Sequence, residues 1–258
     1  MSHYTVAVLH DRETQDIDDL LAPYSEELEV ESYVSRTKTE MIESAKERVK
    51  DYNKNPSWYK DDEIRKMFIN PYLEARTDEE YYRAERANVE DNWDAKFDDD
   101  GNELSTYNPK SKWDWYIIGG RWSGMLTRKG EDADDSMGYD SLPIKDIDFS
   151  RDEVLYAKHY DWWVNNIDNE VEEWNDIYTK EYYQETYNDA EDYANQNSQF
   201  GTFAILTPDG EWHERGEMGW FGFSSETPDE GRQWCNNYMD IINSVPDNYY
   251  MTIVDCHI

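Results

Sequence analysis

Cysteine is almost absent: Cys235 and Cys256 are the two thiols in 258 residues. Two cysteines make neither a disulfide framework nor a CxxC zinc site, and they point to a reducing compartment. Cations are scarce too, with 25 Lys and Arg against 59 Asp and Glu and a formal net charge of −34. A surface of that sign repels nucleic acid and anionic membranes, so direct nucleic-acid binding and a membrane role are not expected. No apolar run approaches the roughly 20 residues that span a bilayer. The opening MSHYTVAVLH lacks a basic leader and a long apolar stretch, so no secretion signal is read. Phosphate-loop, GxGxxG, GxSxG and zinc spacings are all missing.

Aromatics are what the chain has in quantity. They make up 15% of it, including 11 Trp and 21 Tyr. Disordered acidic chains are poor in such residues, so a folded protein with an aromatic core and a polar surface is expected. The negative charge has three readings: solubility, adaptation to high salt, or imitation of nucleic acid toward a basic partner. Lys about as common as Arg, together with plentiful Asn and aromatics, counts against salt adaptation.

HYTVAVLH (3–10) and YYMTIVDCHI (249–258) are apolar on both strand faces, which predicts buried strands in one sheet. Between them, T-x-x-E boxes at Thr37–Glu40, Thr77–Glu80 and Thr227–Glu230 mark helix starts. SRDE at 150–153 is read as a fourth. From there Leu155, His159, Trp163, Ile167, Val171, Trp174, Tyr178 and Tyr182 step at helical spacing and predict one long helix. Ile64, Phe68 and Tyr72 form another stripe, with a break or kink expected at Pro71. TFAILTPDGEW (202–212) reads as strand, turn and strand. FDDDGNELSTYNPKSK (97–112) reads as a hairpin turn, its glycine being too early for a calcium loop. The order of elements predicts an α+β fold: one mixed or antiparallel central sheet with both terminal strands in it and helices packed on it. One domain over 1–258 is expected, with helical insertions at about 36–96 and 150–197.

Several blocks carry a resemblance: MSHYTVAV, LLAPYSEELEV, STYNPKSKWDWYIIGGRWSGML, TPDGEWHERGEMGWFG and the terminal VDCHI. Together they resemble a family of phage and prophage proteins, along the whole chain. The resemblance implies a phage-encoded accessory protein outside the virion, acting in the host bacterial cytoplasm. It implies no reaction.

Two groups of residues are candidates for chemistry. In WDWYIIGGRW, Gly119 and Gly120 let the backbone bend or turn N–H groups toward an anion, and Arg121 can clamp a carboxylate or phosphate. Trp113, Trp115 and Trp122 can stack on a ring or fill a hairpin core, with Arg121 on a tryptophan or paired to Asp114. GEMGWFG (216–222) is a similar glycine–aromatic segment, with Trp220 and Phe221 as core fillers. The second group is histidine. If the terminal strands are neighbours, His3 or His10 approaches His257, with Asp255 on the same face and His213, Glu211 and Glu214 joining from the TPDG hairpin. Such a cluster can hold a divalent metal, but the spacing matches no metal motif, and no metal or cofactor is assigned. Cys256 and His257 face opposite sides of a strand and do not pair.

The expected function is that of an acidic phage accessory protein. It binds and inhibits a host protein complex engaged in defence or nucleic-acid processing, using acidic helical faces around 150–197 and 13–94. The alternative is a nucleotide-like small-molecule site, binding or hydrolytic, near Arg121, His213 and His257. Its ligand-binding residues are Arg121, Gly119, Gly120, Trp122, His213 and His257. Between binding protein and enzyme, the former is favoured.

Overall fold

The computed structural model describes residues 2–57, 63–131, 138–168, 178–216 and 227–258, and among them the side chains of all but 63–66, 92, 93 and 228. The chain divides into two compact units: Met1–Leu28 with Pro109–Ile258, and Glu29–Asn108.

The first unit is built on a pairing of its outermost strands. β1 (His3–His10) and β9 (Tyr250–His257) run antiparallel through eight residue pairs, from His3 opposite His257 to His10 opposite Tyr250. β7 (Ala204–Leu206) lies parallel on the other edge of β1 and turns through Gly210 into β8 (Trp212–Glu214). β5 (Trp115–Ile118) and β6 (Ser141–Pro143) both line the outer edge of β9. The result is the expected α+β fold with one mixed sheet containing both terminal strands. Because β1 and β9 are apolar on both sides, both faces need cover. One face buries Tyr4, Val6, Val8, Val254 and Cys256 under α1 (Ile17–Leu21) and the 3₁₀ turn Ala22–Tyr24. The other buries Ala7, Leu9, Met251 and Ile253 under α8 (Pro228–Asn243), through Trp234, Tyr238 and Ile242.

The second unit holds α2 (Lys38–Lys54), α3 (Glu63–Glu74) and α4 (Asp78–Trp93), with a three-stranded sheet of β2 (Tyr33–Arg36), β4 (Glu103–Ser105) and β3 (Lys96–Phe97). β3 and β4 form the expected hairpin across residues 98–102. α3 runs through Pro71 without ending there. The hydrogen bond lost falls on the carbonyl of Met67, a residue 73% exposed and therefore open to water. Ile69 and Tyr72 face the core while Phe68 stays exposed, so the buried stripe is rotated from the expected one.

All three T-x-x-E boxes cap helices, with both reciprocal hydrogen bonds present. The fourth does not: Asp152 is the cap of α5 (Glu153–Trp163), accepting from the N–H groups of Val154 and Leu155. The long helix expected from Leu155 to Tyr182 is divided. A π turn, Val164–Asp168, follows α5, and Thr179 caps a new helix, α6 (Lys180–Thr186). Asp189 then caps α7 (Ala190–Ser198). Each restart resets the helical phase, so Trp163, Ile167 and Tyr183 are buried while Leu155, Tyr178 and Tyr182 are exposed. Val171 and Trp174 lie outside the described residues.

Glu85 is the electrostatic centre of the second unit. It is fully buried and takes hydrogen bonds from Arg36 Nη1 at 2.8 Å, Arg48 Nε at 3.2 Å and Tyr72 Oη at 2.8 Å. Burial pushes its carboxyl up, but these three donors outweigh burial and hold it below its ordinary 4.5. A carboxyl lowered in the folded state stabilises fully above the unfolded value and loses that contribution as pH falls through the folded one. Glu85→Gln therefore lowers stability by about 3 kcal/mol at neutral pH. In urea unfolding the gap between variant and wild type narrows progressively as pH falls below the ordinary glutamate value of 4.5. A constant gap across that range contradicts the assignment.

Candidate functional site

The strand register decides which polar side chains meet. His257 on β9 lies opposite His3 on β1 and Trp115 on β5, and Asp255 lies opposite Thr5 and Ile117. Opposed residues share a sheet face, so His3, His257 and Trp115 form one row and Asp255 sits in the next. On that row His3 Nδ1 lies 2.8 Å from Asp255 Oδ1, and His257 Nδ1 lies 2.6 Å from Asp114 Oδ1. The His3 and His257 rings are 5.0 Å apart, centre to centre, edge to face. Trp115 stacks on His257 at 4.9 Å and meets His3 edge-on at 5.2 Å. His3 and His257 had been expected to approach if the strands were neighbours; the second carboxylate, Asp114, comes from the segment entering β5.

A carboxylate only accepts, so each Nδ1 carries the shared proton and each Nε2 is left as the working nitrogen. Neither Nε2 has a hydrogen-bond partner among the described residues, and neither is a buried orphan. The rings are thus fixed at one nitrogen and without a partner at the other, with the His3 and His257 side chains 11% and 5% exposed.

The glycines serve the same cluster from below. Gly119 and Gly120 take φ of 71° and 53°, and the chain turns from β5 into a short 3₁₀ turn, Gly120–Trp122, rather than into a hairpin. The turn aims the N–H of Arg121 at Asp255 Oδ2, 3.0 Å away. Farther along, Gly124 N–H and Ser123 Oγ reach Asp140 at 2.7 and 3.2 Å. The Gly119 N–H, expected to face an external anion, is instead taken by the Ile253 carbonyl at 2.8 Å, and the neighbouring N–H groups of Arg121 and Gly124 go to the protein's own carboxylates. Arg121 itself is exposed, and its guanidinium has no partner among the described residues. Trp122 packs into the core under α8, and Trp113 into the opposite core with its indole N–H on Leu21 O at 3.2 Å. Trp115 is 44% exposed.

Other expected members lie elsewhere. His213 is on β8, at the far edge of the sheet from β5, beside Glu211 at 3.8 Å. It borders an open cleft of 740 Å³ shared with Asp209, Asp240 and the end of α8. His10 is on the opposite face, its Nε2 3.0 Å from Thr252 Oγ1, and burial holds its pKa below the ordinary 6.5. Cys256 is buried on that same opposite face, and burial pushes its thiol up, so it forms no pair with His257. Among the described residues no group of three or more His, Cys, Asp and Glu is placed to hold a metal ion. GEMGWFG from Glu217 to Gly222 lies outside the described residues. Asp114, Asp140 and Trp115 were not singled out for these contacts, because nothing local marks a carboxylate that meets a histidine 143 positions away.

A Cβ on Gly120 would lie 2.5 Å from Asp255 Oδ2, whereas one on Gly210 meets nothing within 4 Å. Both glycines have positive φ. Gly210→Ala is expected to lower stability by about 1 kcal/mol, the conformational part alone, and Gly120→Ala by about 3 kcal/mol or more. Equal losses in chemical denaturation would show that Asp255 does not constrain this turn.

No family model, no curated protein and no solved structure matches the chain.

Proposed function

We propose that the chain is an acidic binding protein, encoded by a phage, that occupies a basic groove on a host protein complex of defence or nucleic-acid processing and so inhibits it. The carrying observation is the surface of α5 and α6. Exposed Glu153, Asp161, Glu181 and Glu185, with Lys158 as an exposed cation among them, are interleaved there with exposed Val154, Leu155, Tyr160 and Tyr182. Exposed aromatic anchors amid an excess of negative charge suit a protein interface, and that excess selects a basic partner.

The distribution of charge supports the same reading. Residues 151–258 hold 23 acids and 5 bases. The Glu29–Asn108 unit holds 21 acids and 13 bases, and its ion pairs include Arg36–Glu103, Lys38–Glu79, Lys46–Asp78 and Arg86–Glu90. Of the two acidic helical regions expected, 150–197 holds 13 acids and 3 bases and 13–94 holds 23 acids and 12 bases, so the first carries the denser negative charge. Among the described residues no helix is long and apolar enough to cross a membrane. The sequence resemblance to phage proteins favours a partner in the bacterial cytoplasm.

Purified chain mixed with host nucleases, nucleic-acid-processing enzymes and defence complexes is expected to bind one of them. That affinity falls about tenfold or more between about 0.1 and about 0.5 M salt. Reversing Glu153, Asp161, Glu181 and Glu185 to Lys abolishes binding while the fold is retained. Affinity indifferent to salt and to the reversal would sink this reading.

A further inference from the structure

The paired imidazoles are not used by an acidic binding surface. Their construction has the features of acid–base machinery. Each ring is held by a carboxylate at Nδ1, which fixes its tautomer and orientation. Asp255 is in turn held by the Arg121 N–H. Each Nε2 is left without a partner, and the rings touch. A hydrophobic or purely structural role would not leave the Nε2 atoms of two neighbouring rings unpaired at the end of two central strands.

The surroundings select the substrate. Arg121, the residue after the bend, is an unpaired cation among the described residues, in a unit where acids outnumber bases about threefold. It is suited to an anion. One face of the Trp115 indole lies on His257, and 44% of the residue is exposed, so its other side is open to a planar ring. Ile117, opposite Asp255 and 52% exposed, continues the apolar strip on the same face of this edge strand.

We infer that His3 and His257 form a general acid–base pair that hydrolyses a nucleotide-like phosphodiester, its ring against Trp115 and its phosphate toward Arg121. The neutral imidazole takes a proton from water through Nε2 as the water oxygen forms the new bond to phosphorus. The protonated imidazole gives its Nε2 proton to the leaving oxygen as the phosphorus–oxygen bond breaks. Proton exchange with solvent restores the pair. Asp114 and Asp255 are positioning residues.

The p-nitrophenyl ester of thymidine 5′-phosphate carries a base, a phosphodiester and a chromogenic leaving group, and is the probe. The full chain is expected to release nitrophenolate with a bell-shaped pH profile and no sensitivity to chelator. Asp114→Asn, at a half-exposed position, is expected to fold normally, to lower kcat about 100-fold with KM little changed, and to reshape the pH profile. Arg121→Ala raises KM. His213→Gln and the four charge reversals on α5 and α6 leave hydrolysis intact, so this site fails or stands independently of the acidic-surface reading. No turnover by the folded wild-type chain overturns the inference. So does turnover that Asp114→Asn leaves unchanged, or that a chelator abolishes.

Discussion

The carboxylate of Asp255 has almost no access to water, being 2% exposed on the strand next to the centre of the sheet. A buried charge of this kind is tolerated only when donors surround it. His3 and the Arg121 N–H are those donors, and both depend on long-range structure. The first requires β1 and β9 to pair in one register, since a slip of one residue would turn His3 to the other face. The second requires the chain to leave β5 through two residues of positive φ with no Cβ in the way. The first strand, the last strand and the GGRW segment are thereby bound to a single arrangement. Asp140 repeats the device one turn later, drawing in Ser123 and Gly124.

The two units handle charge in opposite ways. In Glu29–Asn108 a fully buried glutamate gathers two arginines and a tyrosine, and the helices carry acids and bases in mutual reach. In the sheet-containing unit acids outnumber cations on α5, α6 and α7, with Arg151 paired to Glu153 and Arg232 near Asp192, and the helices hold together through an aromatic cluster of Trp163, Tyr183 and Tyr193. Stacking and burial of rings do not require charge balance, so the surface above such a cluster can stay strongly negative. Self-repulsion on that surface destabilises the compact state unless a counter-charge arrives, which gives a basic partner something to relieve.

Histidine placement shows how far apart chemically similar residues can end up. His3, His10 and His257 sit at the ends of two paired strands, yet His10 is sealed against Thr252 on one face while the other two meet on the opposite face at the far end. Pairing of the strands alone would bring either His3 or His10 into consideration. The antiparallel register puts His3 opposite His257 and His10 opposite Tyr250, and the period-two alternation assigns each to its face.

What the sequence determined by itself is local. The three T-x-x-E caps, the TPDG turn and the doubly apolar strands at 3–10 and 250–257 all form as expected, because a cap or turn is settled by groups within four residues and burial by the strand's own composition. The restarts at Thr179 and Asp189 were also local signals, but a continuous hydrophobic period masked them. Tertiary structure alone decided that β5 pairs with β9 rather than folding back on its neighbour, that Asp114 goes to His257 and not to Arg121, and that His213 stays at the other edge of the sheet. Those outcomes depend on which strands become neighbours and in what register. Periodicity constrains the face a residue takes but carries no information about which distant strand will share that face.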